Sequence, residues 1–247
     1  MKQERIDSIG FGNLKLIQQP EEFCYGVDAV ILADFAAGCR PKTAIDLGTG
    51  TGVIPLILSA KTDAETVVGL EVQQASFERA CRNVELNGLS GRLKMLHGDA
   101  ADRAVTGRLL EAAGAEEGVD LVTCNPPYMV SGNALGSANS AKAIARQEST
   151  ASLDDFIAAA AGLLKRRGHF YMVHRPSRLV DIICSLRSHR LEPKELRMVA
   201  PKPGTEPNIV LIHAIKEAGA ELKVLTTLFV HEAGGEYTKE INDIYGR

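Results

Sequence analysis

Short apolar runs rich in Val, Ile and Leu alternate along the chain with amphipathic segments of helix length. A strand buried on both faces reads as a continuous apolar run, so this alternation predicts an α/β fold, with helices covering both faces of a mostly parallel sheet. Strands are predicted at TAIDL (43–47), ETVVGLEV (65–72), RLKMLHGD (92–99), VDLVTCN (119–125), GHFYMVH (168–174), ELRMVAP (195–201) and NIVLIHAI (208–215). Helices are predicted at about 52–60, 74–87, 102–113, 153–166 and 176–189.

The two ends of the chain and one internal run depart from this alternation. Residues 1–40 predict a flap made of a Gly-punctuated hairpin and a helix at about 27–37, leaving 41–247 as the main domain. Residues 221–247 supply one more apolar strand and a polar tail. Residues 131–150 are rich in Gly, Ser, Ala and Asn, which predicts a long loop, and the run 129–148, which includes the loop 131–145, is a candidate substrate lid.

Composition excludes several classes of protein. The 247 residues are 45% hydrophobic, which is enough for a full core, and the five cysteines are scattered without a C-x-x-C pair. We therefore expect a reduced, cytoplasmic protein with no metal site. The N-terminus has no apolar core of a signal peptide, and no apolar run approaches the roughly 20 residues of a membrane-spanning helix. The oligomeric state is open, with a monomer favoured.

A glycine-rich turn follows the first strand of the main domain, in AIDLGTGTGVIPL. Gly48, Gly50 and Gly52 allow a sharp turn and a close approach of a ligand to the main chain. A dinucleotide-binding turn would have its third glycine where this chain has Val53, which argues against a pyrophosphate ligand. Asp46 before the turn would repel phosphates but suits a ligand with an ammonium or sulfonium charge.

Two more acids end the next strands. Glu71 can accept hydrogen bonds from both hydroxyls of a ribose, and Asp99 can accept one from an adenine amine while the N–H of Ala100 reaches a ring nitrogen. The carboxyl ends of parallel strands meet at one edge of a sheet, so the three acids should line one crevice. The crevice fits a nucleoside with a cationic appendage, and S-adenosylmethionine is such a molecule.

The fourth strand ends in the motif N-P-P-Y, Asn125 to Tyr128, beside the same crevice. The amide oxygen of Asn125 and the carbonyl of Pro126 offer two acceptors, which match the two N–H groups of one amine. Pro127 stiffens the loop with Pro126, and Tyr128 presents a ring on which a base can stack. The four residues are therefore predicted to hold the group that receives a methyl.

The chain resembles the class I, Rossmann-like S-adenosylmethionine-dependent methyltransferases, and most closely the bacterial tRNA1(Val) adenine-37 N6-methyltransferase family. The likeness rests on CYGVDAVILADFA, DLGTGTGVIPL, GLEV, GDA, NPPY, ARQE and YTKEINDIY, and so covers nearly the whole chain. It implies a doubly wound seven-stranded sheet with the last strand antiparallel. It also implies that Tyr25, Gly26 and Asp28 fold over the methionine end of the cofactor. The residues expected to contact the cofactor are Asp46, Gly48, Gly50, Glu71, Asp99 and Ala100, together with Gly52 and Asn125.

Charge bears on the substrate. Residues 165–202 hold ten Lys and Arg against three acids, which predicts contacts with RNA phosphates. Arg166 and Arg167 of this block, and Lys142 and Arg146 in the loop after Tyr128, are the candidate RNA contacts. The expected function is methylation of adenine N6 in structured RNA, with tRNA favoured. Methylation of a protein glutamine or of guanine N2 in rRNA, and an RNA-binding module without catalysis, stay open as alternatives.

Overall fold

The computed structural model describes residues 4–19, 25–127 and 151–247, which form an α/β fold with two sheets. The strands of these ranges are β1 (Arg5–Ser8), β2 (Lys15–Gln18), β3 (Thr43–Leu47), β4 (Thr66–Glu71), β5 (Leu93–His97), β6 (Val119–Cys124), β7 (Leu164–His174), β8 (Leu191–Ala200), β9 (Ile209–Lys216) and β10 (Lys223–Phe229). The helices are α1 (Val27–Ala37), α2 (Val53–Lys61), α3 (Gln74–Leu86), α4 (Ala104–Ala113), α5 (Leu153–Leu163), α6 (Leu179–Ser188) and α7 (Lys239–Ile244).

The large sheet confirms the predicted architecture and corrects its strand number. Within the described residues it has eight strands in the order β10-β8-β9-β7-β6-β3-β4-β5. The seven predicted strands all form, and β9, the last of them, is antiparallel to its neighbours β7 and β8. The eighth strand, β10, comes from the apolar run near the C-terminus and pairs in parallel with β8 at the edge of the sheet.

Helices cover both faces of the large sheet, as the apolar strands require. One buried cluster joins the sheet to α1, α2, α3 and α7, and a second joins it to α4, α5 and α6. The helix predicted over 27–37 is α1, and it belongs to the same cluster as α2. In the described residues, no helix is both long enough and apolar enough to cross a membrane.

Two predicted strands begin four residues earlier than expected, β8 at Leu191, where the pattern predicts Glu195, and β7 at Leu164, where it predicts Gly168. The helix expected over 153–166 ends at Leu163, and β7 begins at once with Leu164. Lys165, Arg166 and Arg167 favour a helix by propensity, but Leu164 is buried and pairs with Val119 of β6, so strand pairing decides the boundary.

The N-terminal hairpin, β1 and β2, docks on α3 through two asparagines. The Asn83 side chain accepts from the N–H of Ile17 (2.6 Å) and donates to its carbonyl (3.3 Å), and Asn87 does the same with Lys15 (both 2.8 Å). Asn83 also donates to the carbonyl of Thr51 in the glycine turn (2.9 Å). Positions 83 and 87 lie on one face of a helix. Their amides therefore pair with the backbone N–H and C=O groups at the edge of β2, as a neighbouring strand would.

Asn83→Ala should therefore destabilise the protein by about 1–3 kcal/mol, because it leaves the buried backbone groups of Ile17 and the partly buried carbonyl of Thr51 unsatisfied. Chemical denaturation measures the loss. Asn87→Ala is the matched control, since Asn87 is half-buried and its partners reach water. A loss for Asn83→Ala no greater than for the control contradicts the role of Asn83 in holding the hairpin.

Candidate active site

The glycine turn between β3 and α2 presents bare backbone to the carboxyl edge of the sheet. Gly48, Gly50 and Gly52 have φ angles of 71°, 57° and 83°, in the left-handed region that side chains disfavour. A Cβ on Gly50 would meet no atom within 4 Å, whereas one on Gly52 would lie 3.4 Å from the Cβ of Ala80. The turn is therefore open above Gly50 and closely packed on α3 at Gly52.

Asp46, the fourth residue of β3, is fully buried. Its Oδ1 accepts a hydrogen bond from the Thr123 hydroxyl (2.7 Å), and within the described residues its Oδ2 has no partner. Burial raises the pKa of Asp46 to about 7, against the opposing effect of the hydroxyls of Thr123 and Thr49. The Thr49 hydroxyl does not reach hydrogen-bond geometry, and it too has no partner in the described part of the chain. A buried acceptor and a buried hydroxyl thus remain for a ligand.

Glu71, at the end of β4, fastens the turn to the neighbouring strand. Its Oε2 accepts from the N–H of Gly50 and its Oε1 from that of Gln73, both at 2.8 Å. Burial raises the pKa of Glu71, and these backbone N–H groups oppose the rise. A carboxylate has about four lone-pair sites, so Glu71 keeps acceptors for ligand hydroxyls after both bonds are counted.

Asp99 and Ala100 follow β5, which lies beside β4 with His97 in register with Glu71. Both residues are half-buried, and Asp99 Oδ1 accepts from the N–H of Ala101 (3.0 Å). The structure therefore brings Asp99 and Ala100 to the edge of the sheet that also carries Glu71 and Asp46.

Asn125 follows β6, the strand next to β3, and Leu47 is in register with Cys124. Asn125 therefore lies level with the start of the glycine turn. Asn125 is half-buried, Pro126 is buried and Pro127 is exposed, while Tyr128 lies outside the described residues. The predicted acceptor motif thus begins beside the glycine turn, at the same edge as the three acids.

Helix α1 brings the predicted flap residues toward the same edge. Burial, and next the nearby carboxylate of Asp120 at the start of β6, raises the pKa of the thiol of Cys39, which lies just beyond the end of α1. The beginning of α1 therefore points to the carboxyl edge. Gly26 precedes α1, Asp28 is buried in its first turn, and the N–H of Tyr25 donates to Gln18 of the hairpin (3.1 Å).

The structure does not bring Arg166 and Arg167 to this site. They follow Leu164, which pairs with Val119 at the start of β6, so they lie at the amino edge of the sheet. The Nε of Arg166 lies 3.7 Å from the Oε2 of Glu217, which is an ion pair. Most of the basic block is paired in this way: ion pairs join Lys165, Arg178, Arg187, Arg190 and Arg197 to acids as well.

Charge counts along a sequence do not reveal which edge of a sheet a cation occupies. Lys142, Arg146 and the loop 131–145 lie outside the described residues, and RNA contact by these residues and by Arg166 and Arg167 stays a prediction. In the described residues, no three His, Cys, Asp or Glu side chains form a group that could hold a metal ion.

Sequence reasoning missed Thr123. Its signal was a hydroxyl in an otherwise apolar run, VDLVTC, two residues before Asn125. Because Thr123 is in register with Asp46, the two side chains lie on the same face of adjacent parallel strands.

The fold and a matching family model show that the chain belongs to the methyltransferases. A solved structure described as a predicted O-methyltransferase from Agrobacterium tumefaciens is 28% identical, has a TM-score of 0.70, and covers 89% of this chain and 95% of its own. The structure of TrmN from Thermus thermophilus shares the fold at 19% identity, with a TM-score of 0.53 over 76% of this chain and 48% of its own. A family model, the methyltransferase small domain, matches residues 14–183.

Within that family, the chain belongs with the tRNA1(Val) (adenine(37)-N6)-methyltransferases. The protein of that name from Porphyromonas gingivalis is 30% identical over 221 residues, which cover 87% of this chain and 84% of the relative. The one from Bacteroides fragilis is 27% identical over 223 residues, covering 89% and 90%.

Proposed function

We propose that this chain transfers the methyl group of S-adenosylmethionine to N6 of an adenine in tRNA. The observation that carries the proposal is that Asp46, Glu71 and Asn125 lie together at the ends of three adjacent strands. The relatives of this chain are named tRNA1(Val) (adenine(37)-N6)-methyltransferases. The acids suit a cationic nucleoside, and the amide suits an amine.

The donor side of the crevice fits S-adenosylmethionine. The buried Oδ2 of Asp46 has no partner among the described residues, and the space above Gly50 is open. Asp46 would hold the cationic methionine end with help from Tyr25, Gly26 and Asp28. Glu71 would accept from the ribose, and Asp99 with Ala100 would hold the adenine ring. When bound, the cofactor supplies an electrophilic methyl carbon on a sulfonium.

The acceptor side works by orientation. Asn125 Oδ1 and the Pro126 carbonyl accept the two N–H groups of the target amine, which holds the nitrogen lone pair toward the donor side. Adenine N6 is a poor nucleophile because its lone pair is delocalised into the ring, and two acceptors favour the pyramidal nitrogen that attacks. No strong base is needed, because the N–H becomes acidic only as the new bond forms. Tyr128 supplies a stacking face for the base.

An RNA loop is the substrate that this arrangement favours. An unpaired base is extruded at lower cost than one in a duplex. Lys142 and Arg146, which follow the acceptor motif in the chain, are proposed to hold the backbone beside the extruded base. Arg166 and Arg167 lie at the far edge of the sheet, so they contact only RNA that extends beyond the site.

The test is methylation of tRNA by the purified protein. Incubation with radiolabelled S-adenosylmethionine and tRNA from cells lacking this protein should put label into N6-methyladenosine, measured by nucleoside chromatography. Label in N2-methylguanosine, or in protein glutamine after incubation with a cell extract, assigns a different acceptor. Absence of label from every RNA and protein fraction contradicts the proposal, and cofactor binding alone then favours a module without catalysis.

A further inference from the structure

The bond between Thr123 and Asp46 joins the two halves of the crevice. Both side chains are fully buried, and Thr123 Oγ1 lies 2.7 Å from Asp46 Oδ1. Asp46 precedes the turn predicted to hold the cofactor, and Thr123 precedes Asn125 by two residues on the neighbouring strand. One hydrogen bond therefore spans the donor and acceptor sides.

Within the described residues, one carboxylate oxygen of Asp46 accepts a hydrogen bond and the other accepts none. Oδ1 is held by the Thr123 hydroxyl, while Oδ2 has no partner among the described residues, although the atom is buried. A buried carboxylate oxygen without a donor is costly, so such an atom in a crevice indicates a ligand with a donor or a positive charge.

We propose that Thr123 is a positioning residue. Its hydroxyl donates to Asp46 Oδ1, which favours the ionised carboxylate and directs Oδ2 to the cationic end of the cofactor. The inference rests on the proposed function, because the ligand is the same S-adenosylmethionine. It adds that cofactor binding depends on pH, and that Thr123 on β6, the strand before the acceptor motif, sets this dependence.

The groups around Asp46 explain why the hydroxyl matters. The titratable neighbours are Glu71 on β4, whose charge raises the pKa of Asp46, and Cys124 on β6, whose own thiol pKa is raised by burial. Thr49 faces the carboxyl from the turn, and the Phe156 ring of α5 lies 3.6 Å from where a Cβ on Gly48 would sit. Of these described neighbours none is cationic, so the hydrogen bond from the Thr123 hydroxyl opposes protonation of Asp46, with a smaller effect from the nearby Thr49 hydroxyl.

Cofactor affinity should therefore depend on pH with a predictable sign. The ionised carboxylate attracts the cation and the protonated one does not, so affinity falls up to tenfold per pH unit below the pKa of Asp46, which is about 7. Loss of the Thr123 hydroxyl favours the protonated form and moves this midpoint upward. A hydrogen bond to a charged group corresponds to about one to two pH units.

The test compares Thr123→Val with Thr123→Ser by calorimetric titration of S-adenosylmethionine between about pH 5.5 and about pH 9.5, a window that contains the titration of Asp46 and the shifted midpoint expected for the valine variant. The valine variant keeps the branched shape and loses the donor, and the serine variant keeps the donor. We expect the midpoint to rise by about one unit or more for valine and to stay at the wild-type value for serine. The ligand's own amino group titrates near pH 8, equally in every variant.

The outcomes separate this inference from the proposed function. If the Thr123→Val protein has the circular dichroism of wild type and its midpoint does not move, the positioning role is overturned. The proposed function stays intact in that case, because the wild-type protein still binds S-adenosylmethionine. If the valine variant does not fold, Thr123→Ala should give the same upward shift, and an unmoved midpoint there overturns the role equally. Failure of the wild-type protein to bind S-adenosylmethionine at any pH overturns the proposed function itself.

Discussion

Asn125→Ala should reduce the rate of tRNA methylation at least about 100-fold, the scale of losing one preorganised hydrogen-bonding group. The affinity for S-adenosylmethionine should stay within about twofold of wild type, because the amide acts on the target amine and the acids hold the cofactor. Single-turnover kinetics measures the rate, and calorimetry the affinity.

The control for this variant is Asn208→Ala, which removes an exposed asparagine amide from the loop between β8 and β9. It should methylate at the wild-type rate. If Asn125→Ala retains near-wild-type turnover, the amide does not hold the amine. A parallel loss of cofactor affinity would instead assign Asn125 to the donor side of the crevice.

Asp46→Asn should weaken S-adenosylmethionine binding at least about 30-fold at pH 8, where Asp46 is ionised in the wild-type protein. The amide keeps the size of the side chain and the acceptor for Thr123, but it removes the charge. The matched control is Asp63→Asn, which neutralises an exposed carboxylate between α2 and β4. Calorimetry that finds unchanged affinity in Asp46→Asn contradicts the placement of the cationic group.

Asp46→Asn should also change the folding stability, and it should raise the stability while it lowers the cofactor affinity. The pKa of Asp46 rises from 3.8 in the unfolded chain to about 7 in the folded protein, so its ionisation costs folding free energy that grows as pH rises through this window. Asp46→Asn removes the cost, and the variant should unfold at a higher temperature than wild type at pH 8. Lost affinity with gained stability distinguishes a functional carboxylate from a structural one.

The large sheet was predictable because its parallel strands are buried on both faces. TAIDL forms a strand over Thr43–Leu47, and the run near the C-terminus forms the edge strand Lys223–Phe229. The three acids were found in the same way, because the end of an apolar run marks the carboxyl edge. The parts of the fold set by local pattern could thus be read from the sequence.

Contacts between distant segments were beyond that reasoning. Thr123 reaches Asp46 across 77 positions and Asn83 reaches Ile17 across 66, and neither pair has a local signature. The position of the basic block shows the same limit, since Arg166 and Arg167 are close in sequence to the site strands but lie at the opposite edge of the sheet. Strand register decides the positions of Thr123 and the two arginines, and the docking of the hairpin on α3 decides the partner of Ile17, so only the folded chain reveals them.

The most direct measurement is mass spectrometry of tRNA nucleosides from a strain that lacks this protein, complemented with the wild-type chain or with Asn125→Ala. We expect N6-methyladenosine to be missing from one tRNA in the deletion strain, to return with the wild-type chain, and to stay missing with the variant expressed at equal level. Unchanged N6-methyladenosine in all tRNA of the deletion strain, or full restoration by Asn125→Ala, would contradict it.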